Sequence, residues 1–267
     1  MNKKAVRENY LLSLLSAAHR MTTAEVVESL GVSVATVRRL FTEMEKKGLI
    51  VRNYGGIQLP SPAYDYSFES SEKIYSAEKQ RIGFAAAQLV ENGDTIFLDS
   101  GTTLMQMTLA LGKRIAAGEF HSLNIITNSM ANIQVLTPSL QCRVILIGGE
   151  YNQNRRDFSG PLTERYVSSF HFTKSFFGCE GLTPLMGFSS NQLSISSLNT
   201  CVISRTDKRF VLLDESKFGR YSLVTYAALK QITGIITNAD PDQELAEQLA
   251  ENGVSTILAG KERPEIS

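Results

Sequence analysis

Seven short apolar runs recur through the last two thirds of the chain, and their spacing constrains the fold more than any other feature. They are DTIFL (94–98), NIIT (124–127), RVILI (143–147), KSFFG (174–178), RFVLL (209–213), GIIT (234–237) and STIL (255–258). From Ala77 onward helix-like stretches fill the intervals, the first running to about Val90. Strand-length runs alternating with helices imply an α/β fold with a mostly parallel sheet covered on both faces. Each run hands over to small or polar residues: Asp99-Ser100-Gly101-Thr102-Thr103, Asn128-Ser129, Gly148-Gly149, Gly178-Cys179-Glu180-Gly181, Asp214-Glu215-Ser216-Lys217 and Asn238. Any one of these loops could be an ordinary cap or turn. Together they collect at the carboxyl ends of parallel strands, where open sheets bind ligands, and so outline one shared pocket.

The chemistry of that pocket points to an anion. Ser100, Thr102 and Thr103 offer hydroxyls and backbone N–H groups at the start of a helix, and Lys217 adds a full positive charge. The chain has no glycine loop ending in Lys-Ser or Lys-Thr and no G-x-G-x-x-G after a strand, so a nucleotide is not the expected ligand. A sugar phosphate is the smaller anion that remains.

Composition sets outer bounds. The chain has 267 residues, 43% of them hydrophobic, enough for one large core and a small accessory one. No run approaches the ~18 apolar residues that a membrane-spanning helix needs. Lys3, Lys4 and Arg7 before LLSLLSAA (11–18) superficially resemble an export leader, but Glu8, Asn9 and the helical spacing of Val6, Tyr10, Leu11, Leu14 and Leu15 favour a core-facing first helix. Cys142, Cys179 and Cys201 are odd in number, and neither they nor His19, His121 and His171 have metal-ligand spacing. The expectation is buried thiols in a reducing cytoplasm, with no metal and no cofactor.

Charge is uneven although the total is zero: residues 1–58 carry nine Lys/Arg against five Asp/Glu, leaving an acidic remainder. A small basic head suggests a polyanionic partner. Within it, Thr22 or Thr23 can cap a helix AEVVESL that stops at Gly31, and Ser33 can cap a second, VATVRRLFTEMEKK, ended by Gly48 with Val37, Leu40, Phe41 and Met44 on one face. Helix, short turn, helix is a DNA-reading arrangement. Thr36, Arg38 and Arg39 stand near the N-terminal end of the second helix, where a recognition helix enters the major groove. LIVRNYGGIQL (49–59) reads as two strands around Tyr54-Gly55-Gly56, a wing that carries Arg52. The candidate DNA contacts are Thr23, Ser33, Thr36, Arg38, Arg39 and Arg52.

SVATVRRLFTEMEKKGLIVRNYGGIQL resembles the winged helix-turn-helix of the DeoR family of bacterial transcriptional regulators, with its Thr, branched aliphatic, paired Arg, Gly-Leu, Arg and Gly-Gly. The family usually has Asp after the paired Arg; Leu40 stands there. Downstream, EKQRIGFAAAQLVENGDTIFLDSGTT, IITNS, VILIGGEYN with Gly160, KSFFGCEG and LLDESKFGR resemble the effector domain of the same family, in the same order. That resemblance implies a fold related to ribose phosphate isomerase and the coenzyme A transferases, and a phosphorylated sugar held by Asp99, Ser100, Gly101, Thr102, Thr103, Asn128, Ser129, Gly148, Gly149 and Lys217. Glu180 is counted among the same effector-binding residues, although a smaller residue is usual there. In SSLNT (196–200), Ser197 and Asn199 replace a usual Glu and Lys. Asp99 is assigned to sugar hydroxyls or to capping the following helix, because a carboxylate repels phosphate.

The expected organisation is a winged helix-turn-helix at 1–58, a Pro- and Ser-rich linker at 59–76 and an α/β effector domain at 77–267. The expected function is a DNA-binding regulator, a repressor of a carbohydrate operon controlled by a phosphorylated sugar. Its partners are double-stranded operator DNA, that sugar and further copies of the chain in a dimer or tetramer, with no membrane. The alternative is a sugar-phosphate isomerase-like enzyme in the same pocket, with Asp99, Glu180 or Asp214 as base.

Overall fold

The computed structural model describes residues 7–8, 10–12, 14–15, 20–46, 49–53, 56–58, 66–136 and 142–260. The chain divides into two units, Met1–Tyr66 and Ser67–Ser267.

In the N-terminal unit the described residues between 7 and 15 are helical. Leu11 and Leu15 are fully buried and Tyr10 faces out. Thr22 begins the next helix, α1 (Thr23–Leu30), with a reciprocal cap: its hydroxyl accepts the Glu25 N–H at 3.2 Å while the Glu25 carboxylate accepts the Thr22 N–H at 2.6 Å. Gly31 ends α1 at φ 61°, a left-handed conformation that favours glycine. The turn leads to α2 (Val34–Lys46), where Ser33 Oγ accepts the Thr36 N–H at 3.3 Å. Val37, Leu40, Phe41 and Met44 all point into a core with Leu11, Leu15, Val26, Ile50 and Ile57. Leu40 is therefore a core residue. The expected end of α2 at Gly48, and the wing tip Tyr54-Gly55, lie outside the described residues.

The wing is present as β2 (Val51–Asn53) and β3 (Gly56–Gln58), paired antiparallel. A third strand not expected from the sequence, β1 (Arg20–Thr22), pairs with the other edge of β3, placing Met21 opposite Ile57. Gly56 permits this pairing: a Cβ there would stand 2.2 Å from the Met21 carbonyl oxygen.

In the second unit all seven apolar runs form strands of a single sheet: β4 (Thr95–Leu98), β5 (Leu123–Thr127), β6 (Cys142–Leu146), β9 (Phe172–Gly178), β12 (Thr206–Leu212), β14 (Gly234–Thr237) and β15 (Ser255–Leu258). Their order is β15-β14-β12-β9-β4-β5-β6, and every neighbouring pair is parallel. Alternate residues feed opposite faces. Ile96, Leu98, Phe176, Phe210, Leu212 and Ile236 pack under α4 (Ser76–Ala87) and α5 (Thr102–Ala116). Phe97, Phe177, Val211 and Ile235 pack under α8 (Leu193–Ile203) and α9 (Gln243–Glu251). After β4 the chain moves outward to β5 and β6, then returns to β9 on the other side of β4. The switch point of the sheet is therefore between β4 and β9, with Asp99 and Glu180 just beyond their ends.

Three features differ from the sequence expectation. The segment expected as a linker contains α3 (Phe68–Lys73), capped by Ser67 and anchored by buried Phe68, and α4 already begins at Ser76. The loop after β6 holds a hairpin, β7 (Glu150–Asn152) and β8 (Asp157–Ser159). Between β9 and β14, β10 (Gly181–Thr183), β11 (Gly187–Ser190) and β13 (Val224–Ala227) form a small antiparallel sheet. Two short helices complete the unit, α6 (Met130–Val135) and α7 (Pro161–Val167).

Candidate functional site

The candidate DNA face lies on α1, α2 and β2. Ser33, Arg38, Arg39 and Arg52 are exposed, and Thr23 and Thr36 are half-buried. Ser33 and Thr36 share a hydroxyl–hydroxyl hydrogen bond of 3.0 Å at the start of α2. Arg52 is tied back to that helix, its Nη1 donating to Thr42 Oγ1 at 3.3 Å and lying 3.9 Å from Glu45.

The candidate effector site is built on the β4–β9 switch point. Asp99, Ser100, Thr102 and Thr103 are buried, and Gly101 caps α5 with no side-chain hydrogen bond. The expected cap by Asp99 is not formed. Its Oδ1 instead accepts the Ser100 N–H at 2.7 Å, and its Oδ2 accepts the Gly178 N–H at 3.4 Å and Asn199 Nδ2 at 3.1 Å. Burial raises the Asp99 carboxyl to about 6, against the lowering influence of the Ser100 N–H, Arg155 and Asn199. Asn199 thus faces Asp99 directly, whereas Ser197 is exposed.

Asn128 and Ser129 are completely buried, but both serve the scaffold. Asn128 Nδ2 donates to the Phe158 carbonyl at 3.0 Å, and Ser129 Oγ caps α6 by accepting the Asn132 N–H at 3.2 Å. Gly148 and Gly149 are exposed; a Cβ on Gly149 would lie 2.0 Å from Thr163 Oγ1, so this glycine admits the close packing of α7. Lys217 is half-buried in a single 3-10 turn, Glu215–Lys217, whose cap is Asp214.

Sequence reasoning missed Arg155, Asp157 and Lys79. Arg155, on the β7–β8 turn, is 6% exposed; its Nε lies 2.9 Å from Asp157 Oδ2, its Nη1 3.3 Å from Glu180 Oε1 and its Nη2 3.5 Å from Ser100 Oγ. Ser100 Oγ donates to Asp157 Oδ2 at 2.5 Å, which links the β8 carboxylate to the β4 loop. The charged triplet Arg155-Arg156-Asp157, in a stretch otherwise polar and uncharged from Tyr151, was the available signal. Lys79, inside α4, is buried with its Nζ donating to the Ser71 carbonyl at 2.6 Å. Burial lowers its pKa to about 8, Asp214 opposes the shift and Lys217 adds to it. Lys79 and Lys217 therefore lie within electrostatic reach of each other, with the Asp214 carboxylate also within reach of Lys79. A cleft of about 480 Å³ opens beside the hairpin, lined by Glu150, Tyr151, Asn152, Gln153, Asn154, Ser159 and Ser194. Among the described residues there is no group of three or more His, Cys, Asp or Glu side chains suited to a metal ion, and the three cysteines are free.

A winged helix-turn-helix in one unit, and a parallel α/β sheet with a polar crevice in the other, define a two-part transcriptional regulator. Comparison with known families places the chain within that class. Residues 7–63 match the DeoR-like helix-turn-helix domain and residues 75–239 match the DeoR C terminal sensor domain. The chain belongs to the DeoR family and is a DNA-binding transcriptional regulator. It is similar to a lactose phosphotransferase system repressor of Streptococcus mutans, 32% identical over 91% of this chain and 95% of that protein. It is also similar to the glycerol-3-phosphate regulon repressor of Escherichia coli, 27% identical over 96% of this chain and 99% of that one. Among solved structures, a ribose 5-phosphate isomerase A from Methanocaldococcus jannaschii aligns at a TM-score of 0.40 with 18% identity, over 54% of this chain and 55% of that one.

Proposed function

We propose that the protein is a cytoplasmic repressor of a carbohydrate-utilisation operon, released from its operator when a phosphorylated sugar occupies the β4–β9 crevice. The observation that carries this reading is the start of α5: Ser100-Gly101-Thr102-Thr103 lies at the switch point of the sheet, and the helix has no side-chain cap to compete for its N–H groups. Lys217 and Lys79 supply positive charge beside the neighbouring strand. On the DNA side, Arg38 and Arg39 reach base edges, while Ser33, Thr36, Thr23 and Arg52 hold the phosphate backbone. One winged head contacts one half-site, so the working form is a dimer or tetramer on a repeated or palindromic operator.

An enzymatic role in the same crevice has less support. Glu180 is paired with Arg155, and Asp214 spends its carboxylate on the Ser216 N–H and hydroxyl, so neither is held as a free base. The reading is tested by thermal unfolding of the full chain with a panel of sugar phosphates. A ligand at 100 times its dissociation constant stabilises by about 2.7 kcal/mol. Lys217→Ala is expected to lose most of that stabilisation; a panel with no stabilising member contradicts the proposal.

A further inference from the structure

The side chains around Asp99 narrow the kind of sugar phosphate, an inference that rests on the sugar-phosphate reading above. Asp99 is 2% exposed, and its carboxylate oxygens accept from the Ser100 and Gly178 N–H groups and the Asn199 amide, all neutral donors. A carboxylate only accepts, so the Asn199 amide must turn its Nδ2 toward Asp99, and this leaves Asn199 Oδ1 without a hydrogen-bond partner among the described residues. Asp157 is in the same condition. Its Oδ2 is occupied by Ser100 Oγ and Arg155 Nε, while its Oδ1, fully buried, has no partner among the described residues. Asp99, Asp157 and Glu180 thus present three carboxylates to the one guanidinium of Arg155.

Two buried acceptors without donors, in surroundings with more negative than positive charge, call for a donor that carries positive charge. An ammonium has three N–H bonds and a unit charge; a hydroxyl has one hydrogen and none. Asp157 is also one strand step from Ser159, which lines the 480 Å³ cleft. Alternate strand residues share a face, so Asp157 and Ser159 stand on the same side of β8, with Asp157 buried behind the cleft wall rather than part of it.

We propose that the effector is a phosphorylated amino sugar, its ammonium group held between Asp99, Asp157 and Asn199 and its phosphate at the start of α5. The ligand itself then brings a second cation to a recess in which Arg155 alone faces three carboxylates.

Titration calorimetry of the full chain at pH 7 tests this with matched probes: glucosamine 6-phosphate, glucose 6-phosphate and N-acetylglucosamine 6-phosphate, and the corresponding galactose series. In at least one series the amine is expected to bind about tenfold or more tighter than both its hydroxyl and its acetylated counterpart. Asn199→Lys, which places an ammonium beside Asp99 within the chain, is expected to reverse that preference. If this variant does not fold, the acetylated probes make the same test from the ligand side on the unaltered protein. Binding of sugar phosphates without preference for the amine overturns this assignment and leaves the sugar-phosphate reading standing. If no member of either series binds, the amino-sugar assignment falls, and the wider thermal-unfolding panel decides the sugar-phosphate reading separately.

Discussion

Asp99 shows how much one side chain can depend on its surroundings. In solution its carboxyl titrates near 3.8; buried behind Ser100 and Asn199 it titrates at about 6. Between those values the folded protein holds a proton that the unfolded chain has released, so stability from this group rises as pH falls through 6 toward 4 and is lost above 6. The two values correspond to about 3 kcal/mol. Denaturant unfolding at pH 5 and pH 8 samples only the upper part of that window, and Asp99→Asn is expected to gain on the unaltered protein by about 1.4 kcal/mol at pH 8 relative to pH 5. A difference that does not change with pH contradicts the assignment. Sequence alone gave a different emphasis here. Asp99 could be recognised as out of place beside phosphate, but its partners Asn199 and Gly178 lie some eighty to a hundred positions away, and nothing local announces them. Arg155 is harder still, since its value comes from meeting Ser100 and Glu180 across three loops.

At the scale of elements, legibility followed burial. The inner strands of the parallel sheet are largely buried and so read as near-continuous apolar runs, as in DTIFL or RFVLL, whereas the edge strand β15 is mostly exposed and was legible from its β-branched and apolar residues Thr256, Ile257 and Leu258. The hairpin strands EYN and DFS are three residues long, mixed in character and partly exposed, and no periodicity survives in so short a stretch. Helix α3 escaped for a similar reason: within Ser67–Lys73 only Phe68 is apolar, and its burial is a tertiary fact. In the N-terminal unit, by contrast, cap chemistry was explicit, and Thr22, Gly31 and Ser33 act where their chemistry requires. The same helix pattern separates core from interface on α2, with Val37, Leu40, Phe41 and Met44 inward and Arg38 and Arg39 outward. Replacing both exposed arginines by Ala should therefore leave the circular-dichroism spectrum and melting temperature within error of the parent. Affinity for operator should fall to that for random DNA, a loss of about 1–3 kcal/mol per base contact. Retained discrimination between operator and random sequence would remove α2 from the recognition surface.

The whole molecule joins a basic head to an acidic sensor, and the account of its function is one of linkage. A ligand moves the DNA-binding equilibrium only by the difference in its affinity for the DNA-competent and DNA-incompetent arrangements. The central claim is therefore reciprocal: the sugar phosphate that stabilises the sensor must weaken operator binding, and operator must weaken sugar-phosphate binding by the same factor. The most direct measurement selects an operator from a random-sequence DNA pool with the purified protein. Its affinity is then followed by fluorescence anisotropy at fixed salt, with and without the sugar phosphate that most raises the melting temperature. The account predicts that saturating ligand weakens operator binding about tenfold or more while non-specific binding is unchanged. An operator isotherm that stays in place under saturating, stabilising ligand would contradict it.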